Sequence, residues 1–161
     1  MIEKIRKEYN SNFSQEVYEQ YVASLESDIV EGALVFKVAE TPVFVDKTFT
    51  NKILDTCESI VDIIVSPDFL AKSEKAIPKN LKVPNENNKC EFIVFDFGIC
   101  KNEKGELEPQ LIEMQGFPTL FAFQYFQDKS MKKHFKIPDN FSVFLNGIES
   151  EDYLNKLKKL F

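Results

Sequence analysis

The stretch from Cys90 to Gln124, CEFIVFDFGICKNEKGELEPQLIEMQGFPTLFAFQ, constrains this chain more than any other. It sets three side chains with oxygen donors, Asp96, Glu113 and Gln115, within otherwise apolar strand-like runs. Burying an ionised carboxylate costs on the order of several kcal/mol unless something compensates it. An acid placed this way therefore asks for a cation, a basic residue or a metal. Phe92 to Ile99 and Gln110 to Gln115 have strand character, and the short polar turn Lys101–Gly105 between them predicts an antiparallel hairpin.

The remainder reads as helices and strands around one core. Ser14 is placed to cap a helix with Val17, Tyr21, Val22 and Leu25 on its apolar face. Ala33 to Val38 reads as a strand, and Thr41 to Asp46 as a second with Pro42 at its edge or entry. A helix capped by Thr50 follows, with the stripe Ile53, Leu54, Cys57, Ile60, Val61 and Ile64 opposite Asp55, Glu58 and Asp62; for Asp46, a capping or turn role is sufficient. Ser66-Pro67-Asp68 starts a short helix with proline at its first position, and Lys79–Lys89 is a polar loop. An aromatic segment beginning at Leu120 starts another helix. Ser150 to Phe161 forms the last one, with acids in its first turn and lysines in its last. The expected fold class is α+β: a single domain over residues 1–161, with a mostly antiparallel sheet and packed helices.

Composition narrows the function. The chain has 161 residues, a net charge of −6, sixteen phenylalanines and no tryptophan. An acidic chain lacks the basic face that nucleic-acid binding requires. Only Arg6 among the 20 basic residues is an arginine, which leaves little capacity for bidentate clamping of phosphate or carboxylate. No run approaches the roughly 18 apolar residues of a membrane span, and the charged start MIEKIRKEYN is unlike a signal peptide. A soluble, cytoplasmic protein is expected. Cys57, Cys90 and Cys100 match no metal-ligand spacing, and buried reduced thiols are expected.

The acids and amide suggest chemistry. Side chains two apart on a strand share a face, with Cα atoms roughly 6.5 Å apart, so Glu113 and Gln115 point the same way and the hairpin register can bring Asp96 beside them. A carboxylate and an amide oxygen on one rigid strand suit Mg²⁺, which takes oxygen ligands and completes its shell from water and phosphate. Alternatively the pair is the wet face of an antiparallel strand.

The run DFGICKNEKGELEPQLIEMQGFP resembles the ATP-grasp superfamily, and most of all its circularly permuted branch of glutathione synthetase and glutathionylspermidine synthetase. The matching residues are Asp96, Gly105 and Ile112-Glu113-Met114-Gln115, within about 30 residues of the chain. The resemblance implies Mg²⁺ bound by Glu113 and Gln115, with Asp96 assisting at the Mg-ATP site, and an enzyme that joins a carboxylate to an amine or thiol through an acyl phosphate. Three departures stand against it: Gln115 occupies the place of an asparagine, Phe95 stands where a substrate-binding arginine precedes the acid, and the five glycines form no phosphate-covering loop.

An apolar stripe still running at Phe161, with no stop residue, adds the expectation that this is the N-terminal portion of a longer ligase, inactive alone. The expected partners are ATP and a small-molecule substrate, and the 150–161 helix would be covered by a missing portion or a second copy. The rival expectation is a non-catalytic binding or interaction domain of ATP-grasp-like fold. His134, the only histidine, is assigned a surface or helix-end role. Lys129, Lys132, Lys133 and Lys136 are either a solvated helix end or a steering patch for nucleotide phosphates. The aromatic run Phe117, Phe121, Phe123, Tyr125 and Phe126 is expected in the core, with a pocket lining as the alternative.

Overall fold

The structure is a computed structural model that describes residues 1–87, 90–116 and 120–160. Its elements in chain order are α1 (Glu3–Ser11), α2 (Gln15–Asp28), α3 (Lys47–Ile64), α4 (Pro67–Ala76), a 3-10 turn (Lys79–Leu81), β1 (Val94–Lys101), β2 (Leu107–Gln115), α5 (Phe121–His134) and α6 (Ser150–Leu160). Six helices and one antiparallel strand pair among the described residues make this an α+β chain, as the sequence predicts. The chain divides into two compact units, one from Met1–Val45 with Pro118–Phe161 and the other from Asp46–Phe117.

The first unit is helical, and its core is aromatic. Tyr21 and Leu25, four residues apart on α2, are fully buried among Tyr9, Val38, Phe44, Met131 and Phe135. The Phe135 ring lies 5.3 Å from that of Tyr9 and meets the Tyr21 ring edge-on at 5.6 Å. Such tilted pairs add roughly 0.5–1.5 kcal/mol beyond the area they bury. Ser14 caps α2 as predicted, its hydroxyl accepting from the Val17 N–H at 3.2 Å. Helix α1 has a faint sequence signal, the spacing of Ile2, Ile5 and Tyr9 hidden among charges.

The strands expected over Ala33–Val38 and Thr41–Asp46 do not form. The segment is extended, but no strand among the described residues of this unit is available to it. Side chains and a helix end take its carbonyls instead: Tyr18 Oη donates to Val38 O at 2.7 Å, Tyr9 Oη to Glu40 O at 2.8 Å, and the Ile2 N–H to Phe44 O at 2.8 Å. Val38 and Phe44 turn inward to the core, whereas Val35 is 85% exposed. Alternating apolar residues here mark an extended strap across helices, not a member of a sheet.

In the second unit, α3 begins three residues before the predicted cap. Asp46 is the N-cap, accepting from the Phe49 N–H at 2.8 Å, and Thr50 instead donates its hydroxyl to Asp46 O. Ser66 caps α4 with Pro67 at its first position, as predicted. The predicted α3 stripe from Ile53 to Ile64 faces inward, but every member is only half-buried, while Asp55, Glu58 and Asp62 are exposed. Helix α3 packs on β2, and Lys52 Nζ donates to Leu107 O at 3.1 Å. Two strands are too narrow to cover a five-turn helix.

Burial, with the nearby Tyr21 and Glu40 adding to it, pushes the Tyr9 phenol up to about 12 from an ordinary 10. A phenol that resists ionisation in the folded state favours folding fully below pH 10, and this contribution disappears as pH rises from 10 through about 12. Tyr9→Phe should lower stability by about 1 kcal/mol at neutral pH through loss of the bond to Glu40 O. The variant should also lose part of the wild-type destabilisation above pH 10. Urea midpoints followed by circular dichroism across that pH range check both outcomes.

Candidate functional site

The predicted hairpin forms, and its register decides where the polar side chains go. Val94 pairs with Gln115, Phe95 with Met114 and Asp96 with Glu113; the pairing then shifts between Asp96 and Phe97, where a bulge leaves Ile112 without a cross-strand partner. Directly opposed residues of an antiparallel ladder share a face. Asp96 and Glu113 therefore project together, with Gln115 two residues along on the same side, as the spacing predicts. The turn is fixed by Asn102, whose Oδ1 accepts from the Lys104 and Glu106 N–H groups, and by Gly105 at φ +78°.

Against expectation, these acids are not buried. Glu113 is exposed, and Asp96 and Gln115 are half-buried, because no layer covers this face of a two-stranded sheet. Among the described residues none of the three side chains makes a hydrogen bond or ion pair, and no group of three or more His, Cys, Asp or Glu is placed to hold a metal ion. What remains is a like-charge pair directly across two strands, an arrangement that costs roughly 0.2–1 kcal/mol. Its oxygens are hard donors of the type Mg²⁺ takes, and its negative field equally suits an ammonium or guanidinium group.

A second polar cluster lies in the first unit, and nothing in the sequence singled out two of its three members. Ser24 and Ser130, 106 positions apart, approach to 2.7 Å between hydroxyl oxygens, and His134 Nε2 lies 3.2 Å from Ser24 Oγ. Ser24 has one hydroxyl proton, and it goes to the Tyr21 carbonyl at 2.8 Å. The donor in the contacts with Ser130 and His134 is set by the hydroxyl rotors and the imidazole tautomer. The cluster is a pin between α2 and α5, and His134 sits at the last residue of α5, as its sequence position predicts.

The remaining candidates resolve simply. Lys132 pairs with Asp128 at 2.9 Å and Lys136 with Glu8 at 3.6 Å. All three cysteines are free, but only Cys57 is even half-buried; Cys90, before β1, and Cys100, within it, are exposed, against expectation, because the hairpin is uncovered. Burial pushes the Cys57 thiol up, with the neighbouring Glu58 adding to the effect. Phe123 and Phe126 pack against the core and Tyr125 against Phe144; Phe117 lies outside the described residues. On α6, Leu157 is buried and Leu160 is 44% exposed, and Phe161 also lies outside the described residues.

Comparison with known protein families, with characterised proteins and with solved structures found no match. No helix among the described residues is long and apolar enough to cross a membrane.

The facing acids give a direct prediction. Asp96→Asn should raise stability by about 0.3 kcal/mol at low ionic strength by relieving repulsion from Glu113. The gain should vanish near ~1 M salt, where the screening length falls to about 3 Å. Urea denaturation of both proteins at the two salt concentrations checks this; a loss of stability would mean that Asp96 has a favourable partner.

Proposed function

We propose that this chain is a non-catalytic interaction module that takes up an extended, basic segment of a partner protein as a third strand beside β1. The observation that carries this reading is the unfinished apolar surface of the second unit. Ile112 is 70% exposed, Leu111 47%, Met114 41% and Ile99 38%, beside an α3 stripe that is only half-covered. A hairpin of two strands is marginal until a third strand or further packing completes it.

Strand addition has its physical basis in the outer edge of β1, whose backbone groups make no hydrogen bonds outside the hairpin among the described residues. Charge selects the occupant. Cys90–Gly116 carries six carboxylates against two lysines, so a second copy of this hairpin would meet like charge, whereas lysines on an added strand would neutralise it. Main-chain bonds would supply affinity and alternate side chains the specificity.

Two synthetic peptides test this, one alternating valine and lysine and the other valine and glutamate. The basic peptide should bind and slow amide exchange along 94–101, and the acidic one should do neither. Ile112→Lys should weaken binding at least about tenfold, with a thermal midpoint close to wild type because the side chain is so exposed. Equal binding of the two peptides, or binding without protection of β1, overturns the reading.

A second reading is that the hairpin supplies part of the magnesium–ATP site of an ATP-grasp-type ligase. It rests on the facing of Asp96 and Glu113, with Gln115 beside them and, among the described residues, no base in contact. The hard-oxygen donor set fits Mg²⁺, which Glu113 and Gln115 would hold with Asp96 in support. The five glycines, Gly32, Gly98, Gly105, Gly116 and Gly147, are scattered along the chain and build no phosphate cradle. Under this reading, an NMR titration with MgCl₂ shifts residues 94–96 and 113–115, and Glu113→Gln abolishes the shifts. An unresponsive hairpin removes the metal and leaves the interaction module.

A further inference from the structure

The first unit contains a groove of about 390 Å³, walled by the strap at Ala39–Phe44, by α5 and by the segment from Ile137 to Val143. That volume is within the range of small-ligand sites, roughly 300–1,000 Å³. Its apolar part is firm: Phe44 and Met131 are buried, and Phe141 stands edge-on to Phe44 with ring centroids 5.4 Å apart. At its mouth Val43 is 56% and Val143 54% exposed. The α5 wall is polar, with Gln124, Gln127, Asp128 and Lys132 all lining the groove.

The ion pair on this wall is unlike the chain's other ion pairs. The side chain of Asp128 is only 13% exposed, and its Oδ2 accepts from Lys132 Nζ at 2.9 Å. Its second oxygen, Oδ1, takes no hydrogen bond among the described residues. A largely buried carboxylate with one of its two oxygens unbonded favours a donor, preferably a cation. Lys132 is more exposed, at 37%, and keeps two of its three protons uncommitted among the described residues. Next to Gln127, the Tyr21 hydroxyl is buried without a well-formed hydrogen bond, so the polar demand of the wall extends into the core.

We propose that this groove binds a free α-amino acid with an apolar side chain. The ammonium group bonds to Asp128 Oδ1, the carboxylate to Lys132 Nζ, and the hydrocarbon side chain lies on Phe44 and Met131. Charge balance singles out this class. A simple amine would leave Lys132 facing a second cation, and a simple acid would bring its charge against Asp128. A zwitterion meets each half of the pair with its opposite, so no charge is left uncompensated in a partly desolvated site. An internal residue of a peptide has neither charge and gains nothing from the pair.

The probes are L-leucine, N-acetyl-L-leucine, which lacks the ammonium, L-leucinamide, which lacks the carboxylate, and glycine, which lacks the side chain. In NMR titrations of the full chain, leucine should shift residues 39–44, 124–132 and 137–143. Each blocked form should bind at least about tenfold more weakly, as expected for loss of one charge-assisted bond, and glycine should not bind detectably. Lys132→Gln, at an exposed position, should remove the preference for leucine over leucinamide, and Asp128→Asn the preference over N-acetyl-leucine. Leucine that causes no shifts, or that is matched by either blocked form on the wild-type protein, overturns the proposal. So does undiminished binding to the folded Lys132→Gln variant. Because the hairpin takes no part, these outcomes are independent of the peptide experiments.

Discussion

Two tyrosine hydroxyls do for this chain what a neighbouring strand does in a sheet. Tyr18 and Tyr9 donate to the carbonyls of Val38 and Glu40, and in doing so they tie down a strap that has no ladder of its own. The strap then delivers Val38 and Phe44 to the core around Tyr21 and Leu25. A main-chain carbonyl left dry and unpaired costs roughly 1–3 kcal/mol, so the aromatic character of this core has a polar purpose as well as a packing one. Tyrosine can bury a ring and still present a donor at its tip.

The second unit has the opposite problem. Its polar groups are well managed at the Asp46 cap and the Asn102 turn, whereas its apolar surface exceeds what two strands can cover. Exposed isoleucine and leucine beside an excess of carboxylates form a surface that discourages contact with copies of itself yet remains attractive to a basic segment. Apolar area drives association, and charge decides which partner is accepted.

What could be read from the sequence followed the range of the interaction. The hairpin, its Gly105 turn, the facing of Glu113 with Gln115, the Ser14 and Ser66 caps and the α3 stripe all depend on residues within about two dozen positions of one another, and all are present. The strap looks like a strand in the sequence because alternation at Ala33–Val38 is the same whether the partner is a strand or a pair of tyrosines. The start of α3 was misplaced because Asp46 and Thr50 are both competent caps. Burial of Asp96 and Glu113 was inferred from apolar neighbours, yet burial depends on a covering layer that no local pattern encodes. The groove's wall was half-visible, since Lys129 to Lys136 stood out as basic, but the value of Asp128 lies in its burial. The Ser24–Ser130–His134 pin joins positions 106 or more apart and leaves no local trace.

That separation also sets an order for the chain's maturation. The hairpin pairs residues between 94 and 115, so its loop closes soon after these residues leave the ribosome. The first unit needs α5, and closing a loop of a hundred residues carries a larger entropic cost. During synthesis Tyr21 and Leu25 are made early, and their partners Met131 and Phe135 come only after the whole middle unit has emerged. Tyr21 and Leu25, fully buried in the finished protein, thus wait for part of their core through most of translation, an interval in which exposed apolar surface favours aggregation.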